Sequence, residues 1–342
     1  MSDSESTFKR LIATVADGKS LSESEAVEAF NIMMSGEATP SQIAGFLIAL
    51  RIRGETVEEI TGAARIMREK ALKVSAPDDA IDVVGTGGDG AGTLNISTAT
   101  AIVVAGCGVP VAKHGNRAAS SKSGAADVLS ELGINLDADV PTVERAIREA
   151  GIGFLLAPAY HSSMRHVGPA RVEMGVRTIF NILGPLANPA SVKRLLVGTF
   201  ASEWVEPMAQ VLGNLGTERA WVVHGADGLD ELTITGPSYV AELADGKVTT
   251  RELSPSDAGL PTASLDDIKG GTPAENAQAI RDLLNGQKGA YRDIALYGAS
   301  AALLIAGKVD SLTDGVAAAA AAIDDGKAAA ALAKLVEITS GE

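Results

Sequence analysis

The sequence predicts an α/β protein: a largely parallel central sheet flanked by helices, preceded by a separate small helical domain. Two observations carry this reading. The first is a series of three helix-start signals between Ser22 and Glu59. The second is a change of texture at Ile81, where short β-branched-rich runs begin to alternate with helix-length segments. The expected division is a helical unit over 1–75 and an α/β unit over 76–342.

The helical unit is read from its caps. Ser22 with Glu25, Thr39 with Gln42, and Thr56 with Glu59 each have the spacing of a capping box. Pro40 stands at a first helical position, where its missing N–H does no harm. Ile43, Phe46, Leu47 and Leu50 then recur at helical spacing. Helices this short are marginal alone, so the unit is expected to pack on the rest of the chain or on its own copy. From Ile81 the runs IDVV, AIVVAG with VPVA, GINL, GFLLAP, LLVGTF and RAWVVHG read as strands. DVLSEL and PTVERAIREAG read as helices, and NISTATAIVVA has helical potential from Asn95 onward. The alanine-rich close, GVAAAAAAIDDGKAAAALAKLVEI, reads as one or two helices covering the sheet.

Composition excludes some classes of function. Aromatics make up only 4% of the 342 residues, so the core must rest on Ala, Val, Ile and Leu. One cysteine, Cys107, excludes an intrachain disulfide and sits in an apolar run as a buried, inert thiol. The first residues lack the apolar core of a signal peptide, and no apolar run is long enough to span a bilayer, so a cytoplasmic protein is expected. A net charge of −14 opposes a generic nucleic-acid binder. It does not oppose a small polyanion, which needs only a local cationic pocket.

Four stretches carry the chemistry. Residues 85–93 read GTGGDGAGT, between a strand and a helix start. That context makes an anion cradle of backbone N–H groups and the helix dipole. Gly85, Gly87 and Gly90 formally satisfy the dinucleotide fingerprint, but the next acid after Asp89 is Asp127, too far on to hold a ribose. No Gly-Lys-Ser/Thr follows, which excludes a Walker loop. The second stretch, KHGNRAASSKSG, ends the next strand with Lys113, Arg117 and Lys122 as cations and Ser120, Ser121 and Ser123 as hydroxyls. A solvated basic loop would read the same way in isolation. Two such loops at consecutive strand ends point instead to one ligand with several phosphates.

The third stretch, HGADGLDELT, holds Asp230 and Glu231 after RAWVVHG. They read either as solvated acids on a turn or as the pair that holds Mg²⁺ against a polyphosphate. On a turn, amide replacements should cost no more than about 0.5 kcal/mol. The fourth, residues 161–189, crowds together His161, Arg165, His166, Arg171 and Arg177. A fixed guanidinium there suits a substrate carboxylate. An ion pair between Arg171 and Glu173 is the structural alternative.

In this order and at this spacing, GTGGD, NIST, KHGNR with SSKSG, and RTIFNILGPLANP followed by HGADGLDELT resemble the anthranilate phosphoribosyltransferase family. The resemblance covers nearly the whole chain. KHGNR and NILGPLANP are specific to that family, whereas GTGGD is shared with pyrimidine nucleoside phosphorylases. It implies a nucleoside phosphorylase/phosphoribosyltransferase-like fold, a homodimer formed through the helical unit, and a site between the two units. It also implies a reaction of tryptophan biosynthesis: anthranilate and 5-phosphoribosyl 1-diphosphate give phosphoribosyl-anthranilate and diphosphate, with Mg²⁺.

Carried over by position, the resemblance assigns 5-phosphoribosyl 1-diphosphate to Gly85, Gly88, Asp89, Thr93, Asn95, Ile96, Ser97 and Thr98. A second set comprises Lys113, His114, Gly115, Asn116, Arg117, Ala118, Ala119, Ser120 and Ser121. Ala125 departs from the pattern, because the family commonly places a phosphate-contacting serine there. Anthranilate falls on Gly85, Asn116 and Arg171, and Mg²⁺ on Ser97, Asp230 and Glu231. The aryl amine is neutral near pH 7, so no indispensable general base is expected. Lys113 and His114 would then act by position and electrostatics, with His161 near them. The rivals are a pyrimidine nucleoside phosphorylase, a nucleic-acid-binding relative of the same fold and, more distantly, a Rossmann dehydrogenase. KHGNR argues against the first, and the net charge with the Asp230–Glu231 pair against the second.

Overall fold

The structure is a computed structural model that describes residues 3–116 and 123–341. Four helices come first: α1 (Asp3–Ala16), α2 (Glu23–Met34), α3 (Pro40–Arg53) and α4 (Val57–Lys70). All three expected capping boxes form, at Ser22, Thr39 and Thr56. Glu59 is buried because it serves beyond its cap: it accepts from the Leu21 and Thr56 amides and pairs with Arg53. Phe8, Phe30 and Phe46 fill the interior with ring contacts at 5.3 and 6.0 Å.

Next come β1 (Ile81–Gly85), α5 (Ile96–Gly106), β2 (Val111–Gly115), α6 (Ala125–Glu131), α7 (Val140–Glu149) and β3 (Ile152–Leu156). The middle of the chain forms α8 (Ala157–Tyr160), α9 (Gly168–Met174), α10 (Phe180–Leu186), β4 (Arg194–Gly198), α11 (Val205–Asn214) and β5 (Arg219–Gly225). A hairpin, β6 (Ser238–Ala244) and β7 (Lys247–Leu253), precedes α12 (Pro273–Leu284), α13 (Ala290–Ile305), α14 (Leu312–Asp324) and α15 (Lys327–Ser340). The strand order is β3-β2-β1-β4-β5-β6-β7, parallel through β5 and antiparallel for the last two.

Both faces of the parallel strands are buried. Val83, Val111, Leu196 and Trp221 face one apolar cluster with α5 and α13. Their neighbours Val84, Ala112, Leu195 and Val222 face a second cluster. That period of two is what a sheet covered on both sides requires. The second cluster runs on into Phe8, Phe30 and Leu50, because the four-helix unit packs on α9, α10 and α11, which lie between it and the sheet. Phe30 meets Phe180 of α10 at 5.8 Å across the junction.

Three sequence expectations need correction. AIVVAG is the second half of α5, and only the segment after Pro110 becomes a strand. Its β-branched residues bury on a helix because α5 lies between the sheet and α13 to α15, where a helix apolar all round is stable. GINL is a connection. Gly133 turns with φ 95°, and Ile134 is an apolar anchor without a strand partner. The antiparallel hairpin is absent from the sequence reading, although Asp245 and Gly246 (φ 51° and 71°) form the two-residue turn that an Asp-Gly step signals. The alanine-rich tail is two helices, divided at Gly326 with φ 73°. No helix among the described residues is long and apolar enough to cross a membrane.

Candidate active site

The strand order reverses between β1 and β4, because the chain builds outward from β1 to β3 and then returns to β1's other side. Open α/β sheets bind ligands at that crevice, outside the carboxyl ends of the strands. Here β1, β2, β4 and β5 all end on glycine: Gly85, Gly115, Gly198 and Gly225. A Cβ at Gly198 would lie 1.6 Å from the Asp230 carbonyl oxygen, and one at Gly85 would lie 2.3 Å from Asp230 Oδ2. The glycines are needed because the segment carrying Asp230 lies directly across the strand ends.

The loop after β1 is anchored on both sides. Thr86 N donates to Gly198 O at 3.0 Å, and Phe200 N donates to Thr86 Oγ1 at 3.0 Å. Gly87 N donates to Asp230 Oδ2 at 2.7 Å. At the far side Gly270 N reaches Gly92 O and Leu94 N reaches Ile268 O, both at 2.9 Å, around a bridge between Thr93 and Lys269. Gly87, Gly88, Gly90 and Gly92 all have positive φ, a backbone shape that glycine adopts without strain. The amides of Gly88, Asp89 and Gly90 have no hydrogen-bond partner among the described residues.

The start of α5 is similarly open. Asn95 makes no capping bond to it, since its carboxamide accepts from Asn276 at 2.8 Å. The Ser97 amide points at the Glu231 carboxylate. The Thr98 hydroxyl is buried without a partner among the described residues. Ile96 is a core residue, so only its backbone can face a ligand. Amides left free at a helix start and in the loop before it suit an anion. GTGGDGAGT is held in one shape by its bonds to Asp230, Gly198 and the Ile268–Gly270 segment.

Beneath the cradle lies a buried charge cluster. Lys113 Nζ donates to Val83 O at 2.6 Å and to Ser97 Oγ at 3.3 Å, and it faces Asp82, Glu231 and Asp230. Burial lowers its pKa, and those three carboxylates oppose the shift. Burial and then the neighbouring Asp89 carboxylate push Asp230 up to about 7. Burial and then Asp230 push Glu231 well above the usual carboxylate range. The solvated-turn reading is thus overturned for Asp230, only 9% exposed, while Glu231 beside it is half-buried. The immersion of Asp230 comes from the sheet edge beneath it, which the local sequence does not reveal.

His114 is held in place through the backbone. Its N–H donates to Asp82 Oδ1 at 3.1 Å, and Nδ1 lies 3.1 Å from Gly184 O. Its ring stands 5.1 Å from that of His161. Burial pulls His114 down to about 3 and His161 to about 4, so both imidazoles are neutral at pH 7. Asp82 itself is fully buried and raised to about 6 by that burial, with Lys113 opposing. Asn188 Nδ2 donates to Asp82 Oδ2 at 2.7 Å and to Ala112 O at 2.9 Å. Sequence reasoning does not find Asp82 and Asn188 as site residues. The available signal is an acid inside the apolar run IDVV, since a buried carboxylate needs partners.

The remaining expected residues are less gathered. Asn116 is exposed, and its carbonyl accepts from Ala126 N at 3.4 Å. Ala125 is the first residue of α6 and is partly buried. Arg117, Ala118, Ala119, Ser120, Ser121 and Lys122 lie outside the described residues. Arg171, on α9, sets its guanidinium 5.1 Å from the Phe180 ring centroid, and burial lowers its pKa. It forms no ion pair with Glu173 among the described residues, because side chains two apart on a helix do not face each other. Arg171 is related to the rest of the site through α10, which carries both Phe180 and the Gly184 carbonyl beside His114.

Among the described residues, no three His, Cys, Asp or Glu side chains are grouped to hold a metal unaided. Mg²⁺ does not need such a group, since it binds through one or two carboxylates with waters and substrate phosphates. Two enclosed carboxylates that repel each other, with the Ser97 hydroxyl nearby, fit that cation.

Known proteins share this architecture. A family model described as "Glycosyl transferase family, helical bundle domain" matches residues 9–71, and one described as "Glycosyl transferase family, a/b domain" matches residues 77–329. The chain is 62% identical over 331 residues to the anthranilate phosphoribosyltransferase of Rhodospirillum rubrum, covering 97% of this chain and 95% of that one. The crystal structure of the Thermus thermophilus enzyme superposes with TM-score 0.92 at 45% identity, covering 96% of this chain and 99% of that one. The Saccharomyces cerevisiae enzyme in complex with PRPP and Mg superposes with TM-score 0.90 at 28% identity, covering 99% of each. The same yeast enzyme has been solved with 4-fluoroanthranilate.

Proposed function

The chain belongs to the anthranilate phosphoribosyltransferase family, and from that premise we propose how the crevice between β1 and β4 divides the work. The chain transfers the phosphoribosyl group of 5-phosphoribosyl 1-diphosphate to the amine of anthranilate, releasing diphosphate, in tryptophan biosynthesis. The glycine loop and the first turn of α5 hold the diphosphate through Gly85, Gly88, Asp89, Thr93 and Asn95 to Thr98. Lys113 to Ser121, with the α6 start at Ala125, line the rest of that substrate. Asp230, Glu231 and Ser97 hold Mg²⁺, which when bound offsets charge on the departing diphosphate. The observation that carries this reading is the Asp230–Glu231 pair, laid across glycine-ended strands against the Gly87 amide and Lys113.

The anomeric C–O bond breaks as the amine nitrogen forms its bond to the same carbon, and positive charge develops at the ribose. The two neutral imidazoles, His114 and His161, add no positive charge beside it and serve as positioning groups. After the C–N bond forms, the anilinium proton is acidic enough to pass to water or diphosphate without a protein base. A fluorescence assay tests the scheme. Anthranilate should disappear only when both 5-phosphoribosyl 1-diphosphate and Mg²⁺ are present, and loss without either would overturn it.

Gly85, Asn116 and Arg171 receive anthranilate, with the partly desolvated guanidinium on its carboxylate. Arg171→Ala is expected to raise the KM for anthranilate by about 10- to 100-fold, the worth of a hydrogen bond to a charged group. The KM for 5-phosphoribosyl 1-diphosphate should move less than about threefold. Equal rises in steady-state kinetics would place Arg171 elsewhere.

The protein is a homodimer through the helical unit. Ile52 at the end of α3 is 81% exposed, and Val172 on α9 is 82% exposed, on helices that pack together. Light scattering should give twice the chain mass, and Ile52→Glu should give a monomer with an unchanged far-UV spectrum. A wild-type monomer would end the dimer proposal.

A further inference from the structure

Arg177 is left unused by the scheme above, yet it joins three separate pieces of the protein. Its Nη2 donates to the Gly88 carbonyl in the middle of the glycine loop. Its guanidinium lies over the Phe200 ring, 4.3 Å from the centroid. Its own carbonyl accepts from Arg51 Nη1 of α3 at 2.5 Å. Phe200 closes the figure, because its amide donates to Thr86 Oγ1 of the same loop.

A trans peptide points its C=O and the following N–H in opposite directions. Holding Gly88 O therefore fixes where the Asp89 amide points, and that amide is one of the unpartnered donors of the cradle. Glycine at 87, 88 and 90 leaves the backbone free to rotate, so the loop needs an outside hold to keep the peptide plane. A guanidinium is suited to this, because it donates to the carbonyl while its face rests on an aromatic ring.

We propose that Arg177 is a positioning residue for diphosphate binding, a latch that orients the Gly88–Asp89 peptide and is itself held from the helical unit by Arg51. The proposal rests on the reading that the glycine loop binds the diphosphate, and it adds the residue that sets the loop's shape. It also gives the helical unit a route to the site: a movement of α3 reaches Gly88 through the two arginines.

Steady-state kinetics on the full-length enzyme, varying each substrate, test it. Wild type must first show saturable dependence on 5-phosphoribosyl 1-diphosphate and Mg²⁺; its absence would refute the loop assignment, a different failure from that of the latch. Given that dependence, Arg177→Ala should raise the KM for 5-phosphoribosyl 1-diphosphate about five- to tenfold, with the KM for anthranilate within about twofold. Arg177→Lys should recover part of the loss, since an ammonium can reach the carbonyl but lacks the plane that stacks on Phe200. Arg51→Ala should shift the same constant, and the double variant should be no worse than Arg177→Ala alone. An unchanged KM in Arg177→Ala overturns the latch, as does an equal rise in both KM values. Effects of the two arginines that multiply would overturn the Arg51 connection.

Discussion

Asp230→Asn is expected to cut turnover at least tenfold while raising the thermal midpoint of the substrate-free protein. The two effects share a cause. Asp230 is enclosed, next to Asp89 and Glu231, and its carboxyl is pushed up to about 7. In the unfolded chain it would titrate near about 4. Between those values the folded protein holds a proton that the unfolded chain has released. Stability from this group is therefore full below about pH 4 and declines as pH rises towards 7. An amide removes that decline and still accepts from the Gly87 amide, which lies 2.7 Å from Oδ2. The variant should be more stable at neutral pH by about 1 kcal/mol or more, where the turn reading expected a small loss.

Activity moves the other way, because the amide is a far weaker ligand for a hard cation. Glu231→Gln should behave similarly, as its carboxyl is also raised. Higher Mg²⁺ should restore part of the rate. In wild type the apparent Mg²⁺ affinity should strengthen between about pH 6 and 8, as the Asp230 carboxyl loses its proton. Rate against Mg²⁺ at several pH values, beside calorimetry, checks both halves. Superimposable Mg²⁺ curves for wild type and variants would remove the metal assignment, and a lower midpoint would refute the electrostatic account.

Asp82→Ala is expected to destabilise the protein by about 2–4 kcal/mol and to abolish activity with it. The raised pKa of about 6 says that burying this carboxylate costs more than its partners return. The loss on truncation comes from what remains. The His114 amide and Asn188 Nδ2 each lose an acceptor, and the buried Lys113 loses the carboxylate that most supports its charge. Asp82→Asn does not repair the site, since one oxygen is replaced by a donor while both partners donate. Both variants should melt several degrees lower, by at least about 4 °C for the alanine. A midpoint within about 1 °C of wild type would show that Asp82 is not the support it is taken to be.

The parts of the fold legible in the sequence are those settled within a few residues. A capping box closes between positions three apart, and Ser22, Thr39 and Thr56 all make theirs. The glycine loop is legible from its own composition between a strand and a helix. Where the reading fails, the local signal is ambiguous. AIVVAG suits a strand or a buried helix equally, and α13 with the sheet decides for the helix. The hairpin is the exception, because its Asp-Gly step is a clear local signal that the reading left unused.

The site divides in the same way. Sequence alone determined which chemical groups are present and in what order, because resemblance and residue type are carried by the chain itself. Tertiary structure decided what those groups are chemically. Gly87 and Asp230 meet across 143 positions, and Asp82 meets Asn188 across 106. Helix starts depend on hydrogen bonds between near neighbours, so short stretches encode them. The protonation of Asp230, the neutrality of His114 and His161, and the burial of Lys113 depend on dielectric and charge from strands brought together only by folding.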